Sequence, residues 1–210
     1  SYELLWDELL IACAKTGKPV IISTGMANLT EINHAVKLLR RNNCEPTVLH
    51  CTSSYPTPYE EANLAALETI RNTMKCETGW SDHTVNPGVI YRAVHRWGAK
   101  VVEFHLDLDG KGDEFHSGHC WLPEQMEIVI KHIQDAMLSD GDGIKEPVPS
   151  EIPDRIWRAD PTDGLRPFKS IRKYFKSSNL LSIFVPITIT LLLIWGTPCC
   201  SALKLLKAIL

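Results

Sequence analysis

The chain has 210 residues, a formal net charge of −3 and a charged fraction of 22%. That length gives one domain with a real core, or one domain plus a tail. The acidic balance carries no footprint of nucleic-acid binding. Seven cysteines lack a paired spacing and no secretory leader opens the chain. The thiols are therefore expected to be reduced and the compartment cytoplasmic. Ser1, not methionine, comes first, so the true start is expected to lie upstream.

Residues 4–15 repeat apolar side chains at helical spacing, and Gly17 ends the run. Residues 18–25 form a short apolar run closed by Ser23, Thr24 and Gly25. A run apolar on both faces suits a buried parallel strand. Asn28 or Thr30 can cap the next helix, with Ile32, Ala35, Val36 and Leu39 inward. Residues 47–54 read as a second strand, and Pro56 and Pro58 stiffen the connection after it. A helix is predicted over 60–73, a strand over 79–83 and a helix over 87–97. A strand over 100–106 and a helix over 123–137 follow, and Asp140-Gly-Asp-Gly143 closes the last one.

Four strand–helix units in strict alternation predict an α/β fold with a parallel sheet. A doubly wound sheet and a β/α barrel both fit this order. The polar residues decide between them. They fall at the C-terminal end of every strand: Ser23 and Thr24; Thr52, Ser53 and Ser54; Ser81, Asp82 and His83; His105 and Asp107. A ring of functional groups on the carboxyl face is how a (β/α)8 TIM barrel builds its site. Four units leave two raw sheet edges. The expectation is therefore a partial (β/α)8 TIM barrel, its last four β/α units, over residues 1–145. A proline-rich linker and turn-rich extension follow over 146–176, then an apolar tail over 177–210. No charge falls between Ser177 and Leu203, and basic residues precede that run. A membrane anchor there is weighed against a non-native tail, and the non-native tail is preferred.

His83 and His105 at neighbouring strand ends can hold a divalent cation with open coordination positions. Taken singly, each is better explained as a satisfied structural imidazole, and two on neighbouring strands beside other polar groups narrow that gap. Asp82 and Asp107 are candidate ligands, or acceptors that fix the ring tautomers. The strand-end hydroxyls suit a phosphate, although each could equally cap a helix. His116-Ser-Gly-His119-Cys120 looks like part of a zinc site but lacks a second ligand pair. It is expected to be a polar loop over the site. His50 is expected to be a hydrogen-bonded core residue.

Pro19-Val-Ile-Ile-Ser-Thr-Gly-Met-Ala27, Leu49-His-Cys-Thr-Ser-Ser-Tyr-Pro-Thr-Pro-Tyr-Glu60, Ser81-Asp-His-Thr84 and Val101-Val-Glu-Phe-His105 occur in one order and spacing. In these motifs the chain resembles the sialic acid synthase family over residues 1–151. The resemblance implies a (β/α)8 barrel that condenses phosphoenolpyruvate with an N-acetylmannosamine-type sugar, giving a nonulosonic acid and phosphate. It implies a divalent metal, Mn2+ or Mg2+, held by His83 and His105. It implies phosphoenolpyruvate contacts at Ser1, Ser23, Ser53 and Ser81, and Tyr55 beside the sugar. The family's aspartate after the second histidine is replaced here, and Asp113 and Glu114 are the nearest acidic candidates. The family's first barrel half and C-terminal antifreeze-like domain are missing from the sequence. The partners implied are phosphoenolpyruvate and an N-acetylated hexosamine. A homodimer stays open, and membrane contact depends on the tail being real. The alternatives are a related synthase with another acceptor and a truncated, inactive remnant.

Overall fold

The structure, a computed structural model, describes residues 1–174. The apolar tail and its membrane-anchor reading lie outside the described residues. No helix among the described residues is long and apolar enough to cross a membrane. The chain divides into two compact units, the first running from Ser1 to Gly143 and the second starting at Ile144.

The first unit is built on five parallel strands: β1 (Ile21–Ser23), β2 (Thr47–Cys51), β3 (Thr78–Asp82), β4 (Val102–Leu106) and β5 (Cys120–Trp121). Their spatial order is their chain order. A doubly wound sheet reverses its order at a switch point, and this sheet does not. Register places Ser81 beside Cys51 and Glu103, and His105 beside Cys120. Alternation along each strand then divides the side chains between two faces. Ile22, Val48, Trp80, Val102 and Trp121 belong to the helix-side core clusters. Ser23, Leu49, Ser81, Glu103 and His105 line a cavity on the other face.

The helices are α1 (Asp7–Lys15), α2 (Leu29–Arg41), α3 (Ala66–Met74), α4 (Pro87–Tyr91), α5 (Asp113–His116) and α6 (Pro123–Leu138). Asn28 caps α2: its side chain accepts from the Thr30 and Glu31 backbone N–H groups, and Glu31 reaches back to the Asn28 N–H. The predicted helix over 60–73 is broken. A 3-10 turn covers Tyr59–Glu61, Asn63 sits at φ 41°, and α3 starts only at Ala66. α4 continues as a π-helix over Arg92–Arg96. Gly79 has a packing reason. A Cβ there would stand 2.3 Å from the Val101 carbonyl oxygen and 2.5 Å from Leu49 Cδ2, so only glycine lets β3 lie this close to β4.

Two elements were invisible to periodicity, α5 and the two-residue β5. They flank and overlap the ends of the His116–Cys120 run expected to be a polar loop. The five described cysteines (Cys13, Cys44, Cys51, Cys76 and Cys120) are free thiols.

The second unit holds a 3-10 helix over Pro149–Trp157 and the short α7 (Lys169–Arg172). Asp160 organises it. Its carboxylate accepts from the Thr162 N–H at 2.9 Å, the Thr162 hydroxyl at 2.6 Å and the Lys169 N–H at 2.7 Å.

Candidate active site

A cavity of about 530 Å³ opens at the strand C-termini, lined by Ser1, Tyr2, Ile21, Ser23, Leu49, Tyr55, Ser81, His83, Val101, Val102, Glu103 and His105. Six of the nine residues singled out by sequence thus share one cavity. Ser53 is not among the lining residues, and its hydroxyl lies 3.9 Å from Cys51 Sγ. A Cβ on Gly25 would come 2.0 Å from Ser53 Oγ, 3.0 Å from Ser1 Oγ and 3.1 Å from Cys51 Sγ. A side chain at position 25 would force these groups to shift. Ser1 and Ser23 hydroxyls are 2.9 Å apart, and the Gly25 N–H donates to Ser1 Oγ at 3.1 Å. The Ser81 hydroxyl donates to Glu103. Sequence reasoning quoted Glu103 and gave it no role.

The loop after β2 carries Tyr55 over the histidines. Thr57 fastens it: its N–H donates to the His83 carbonyl at 2.9 Å and its hydroxyl to Thr52 and Ser54 carbonyls. The Tyr55 ring centroid then lies 4.2 Å from that of His83, 5.7 Å from His105 and 5.0 Å from His119. His83 and His105 are 5.0 Å apart, and so are His105 and His119. His83 Nδ1–H donates to the Thr52 carbonyl at 2.9 Å, which leaves Nε2 as the acceptor of the neutral ring. His50, as expected, donates to a backbone carbonyl, that of Ala62 at 3.0 Å.

Asp82 is not a ligand. It is fully buried. Its carboxylate accepts from the indole N–H groups of Trp80 and Trp121, both at 3.0 Å. It also takes the Thr84 hydroxyl at 2.7 Å and the N–H groups of Thr84 and Val85 at 3.2 Å. Val85 is thereby held at φ 48°, a strained conformation for a β-branched residue. Asp107 likewise spends its oxygens on the N–H groups of Asp109, Gly110 and Gly112. Those backbone bonds, led by that of Asp109, hold its carboxyl below the ordinary range.

The His116–Cys120 run departs from the polar loop expected of it. His116 is exposed, but His119 and Cys120 are buried. Glu114 Oε2 lies 3.4 Å from His105 Nδ1 and 3.8 Å from His119 Nε2. Donor atoms of His105, Glu114, His119 and Cys120 all fall within 4.8 Å of one another, a group that could hold a metal ion. The missing second ligand pair thus comes from β4 and α5. Asp113 is exposed at the start of α5 and is not in the group. No spacing rule finds His119, because its partner on β4 lies fourteen residues earlier across a helix and a turn.

The electrostatics divide the site. Burial opposes ionisation of the Cys51 thiol, but hydrogen bonds from His83, Ser81 and Ser1 outweigh it and lower its pKa. Burial also opposes charge on His83, yet Cys51 and the Thr52 carbonyl raise its pKa. Burial, then Cys51, pushes the Tyr55 phenol up. Burial, then the neighbouring His105, pushes His119 down. Burial, then Glu114, pushes the Cys120 thiol up.

The NeuB family matches residues 1–145. An uncharacterised protein of Methanocaldococcus jannaschii is 41% identical over 153 residues, 72% of this chain and 45% of its own length. N,N'-diacetyllegionaminic acid synthase of Campylobacter jejuni is 37% identical over 141 residues, 66% of this chain and 42% of its own. The chain thus spans less than half the length of these relatives. The crystal structure of N-acetylneuraminic acid (sialic acid) synthetase from Leptospira borgpetersenii superposes with a TM-score of 0.62 at 29% identity, covering 72% of this chain and 53% of that one.

Proposed function

Because the chain belongs to the NeuB family, we propose that it forms part of a nonulosonic acid synthase, contributing five strands, one more than the sequence predicts, and the metal side of a (β/α)8 barrel. The reaction joins phosphoenolpyruvate to an N-acetylmannosamine-type aldehyde in the cytoplasm. The observation that carries this reading is the shared cavity. Hydroxyls from β1 and β3, an aromatic lid and two imidazoles meet at one end of a parallel sheet.

In this reading His83 and His105 bind a divalent cation, Mn2+ or Mg2+. Their donor set fits one, since two imidazoles on adjacent strands leave coordination positions facing the cavity. Such a cation supplies Lewis-acid polarisation of the aldehyde oxygen. The chain's own groups do the rest. Hydroxyls of Ser1, Ser23 and Ser53 donate to the phosphate and carboxylate of phosphoenolpyruvate. Ser81 already gives its proton to Glu103, so it meets the substrate as an acceptor or turns away from Glu103. Tyr55 covers the sugar and excludes water from its face. C3 of phosphoenolpyruvate bonds to the aldehyde carbon, whose oxygen takes a proton. Water adds at C2 and gives up a proton, and the tetrahedral intermediate releases phosphate. Glu114, rather than Asp113, takes the place of the family's aspartate beside the cation, because, of the two, it reaches His105.

A related synthase with a different acceptor is the second reading. Relatives are named for both legionaminic and pseudaminic acid. A panel of N-acetylated sugars in a phosphate-release assay separates the two. In a protein that carries the whole barrel, replacing His83 and His105 together by alanine should lower release by about 1,000-fold. Unchanged release in that double variant rules out the proposed site.

A further inference from the structure

Glu114 sits where a cation would be expected to have several neighbours. Its Oε2 is 3.4 Å from His105 Nδ1, 3.8 Å from His119 Nε2 and 3.9 Å from Cys120 Sγ. Donors about 2.0–2.3 Å from a tetrahedral zinc ion stand about 3.3–3.8 Å from one another. The two separations to nitrogen fall in that range and the one to sulfur just beyond it, and all three are long for strong hydrogen bonds.

The tautomer of His119 adds a second, independent point. The Ser117 hydroxyl spends its one proton on the Glu114 carbonyl, at 2.7 Å. At 2.7 Å from His119 Nδ1 it can then only accept. His119 therefore carries its proton on Nδ1 and a lone pair on Nε2. That lone pair faces the Glu114 carboxylate. Two electron-rich groups so placed repel, and a cation between them turns the repulsion into coordination. His119 and Cys120 are 6% and 5% exposed, so bulk water does little to screen them.

We propose that His105, Glu114, His119 and Cys120 form a four-donor site for one divalent cation of the zinc class. Two imidazoles, a thiolate and a carboxylate select Zn2+ over Mg2+ or Mn2+, which prefer oxygen donors. Cys120 gives up its thiol proton to solvent on binding. The inference deepens the proposed function through His105, which both sites use, while its ligands are argued without the reaction.

The test is metal binding by the metal-stripped, full 210-residue chain, read apart from activity. Zn2+ should bind at one equivalent and survive a large excess of Mg2+. Co2+ in its place should give a thiolate-to-cobalt charge-transfer band. Cys120→Ser should abolish that band, and His119→Gln should weaken Zn2+ binding by more than about tenfold. Both substitutions are close in size to the native residues, and thermal melts of the apo forms check that the fold is kept. If His119→Gln melts early, the Cys120→Ser spectrum decides. Absence of Zn2+ binding, a cobalt spectrum without the thiolate band, or affinities unmoved by both variants overturns the proposal. Tight Zn2+ binding together with no phosphate release from a protein that carries the whole barrel leaves this site standing and removes the synthase reading. Release sustained by Mg2+ with no thiolate band does the reverse.

Discussion

Asp82 lies between Ser81 and His83, yet its work is structural. Five donors from Trp80, Thr84, Val85 and Trp121 end on one buried carboxylate. Removing it orphans all five, and each buried donor left unpaired is costly. Asp82→Ala should therefore lower stability by about 3–5 kcal/mol, measured by urea unfolding. Asp82→Asn should recover only part, because its amide nitrogen meets donors where the carboxylate had oxygens. A loss under about 1 kcal/mol for alanine would contradict this account. His83 and His105 were legible in the sequence because strand periodicity fixes where a strand ends. Asp82 showed its place there too, but not its five partners. Those depend on the indole of Trp121, thirty-nine residues on, and no local pattern encodes that contact. His119 was misread for the same reason.

Elements were legible where they were long and periodic. α2 carried both its cap and its inward face in the sequence. β5 has two residues and α5 has four, too few to show a period. They nevertheless deliver Glu114, His119 and Cys120, so the least readable elements hold the least expected chemistry. In the second unit, Asp160 joins the turn at Thr162 to the start of α7. The Thr162 hydroxyl first, then the Lys169 and Thr162 N–H groups, lower its pKa from an ordinary 3.8 to about 2. A depressed carboxyl pKa means that the folded form favours the ionised state. Its contribution is complete above the ordinary value and fades as pH falls through the folded one. The Lys169 amide should therefore stay protected at pH 5 and lose protection between about pH 4 and 2, followed by NMR with Asp160→Asn as control. Protection equal in the variant and the parent at pH 5 would remove Asp160 from this role.

At the scale of the whole molecule, the sheet faces a problem that its residues cannot solve alone. Among the described residues, β1 and β5 each pair on one side only. Ile21, on the cavity face, is 54% exposed. Among the described residues no lysine or arginine lines the cavity, while Glu103 does. Hydroxyls beside a carboxylate are a poor match for the several negative charges of phosphoenolpyruvate. The cation donors, in contrast, all come from residues 83–120. Metal binding and anion binding should therefore separate. The 210-residue chain alone is expected to take up a cation and to release no phosphate from phosphoenolpyruvate and an N-acetylated hexosamine. Joining it to the part of the Methanocaldococcus jannaschii relative outside the 45% that it matches should cover the cavity face, lower binding of a hydrophobic dye and bring turnover. Turnover by the chain alone at the rate of the fusion would show that the open face already holds a complete site. A fusion that binds the cation, covers the face and still releases nothing would favour the inactive remnant over the synthase.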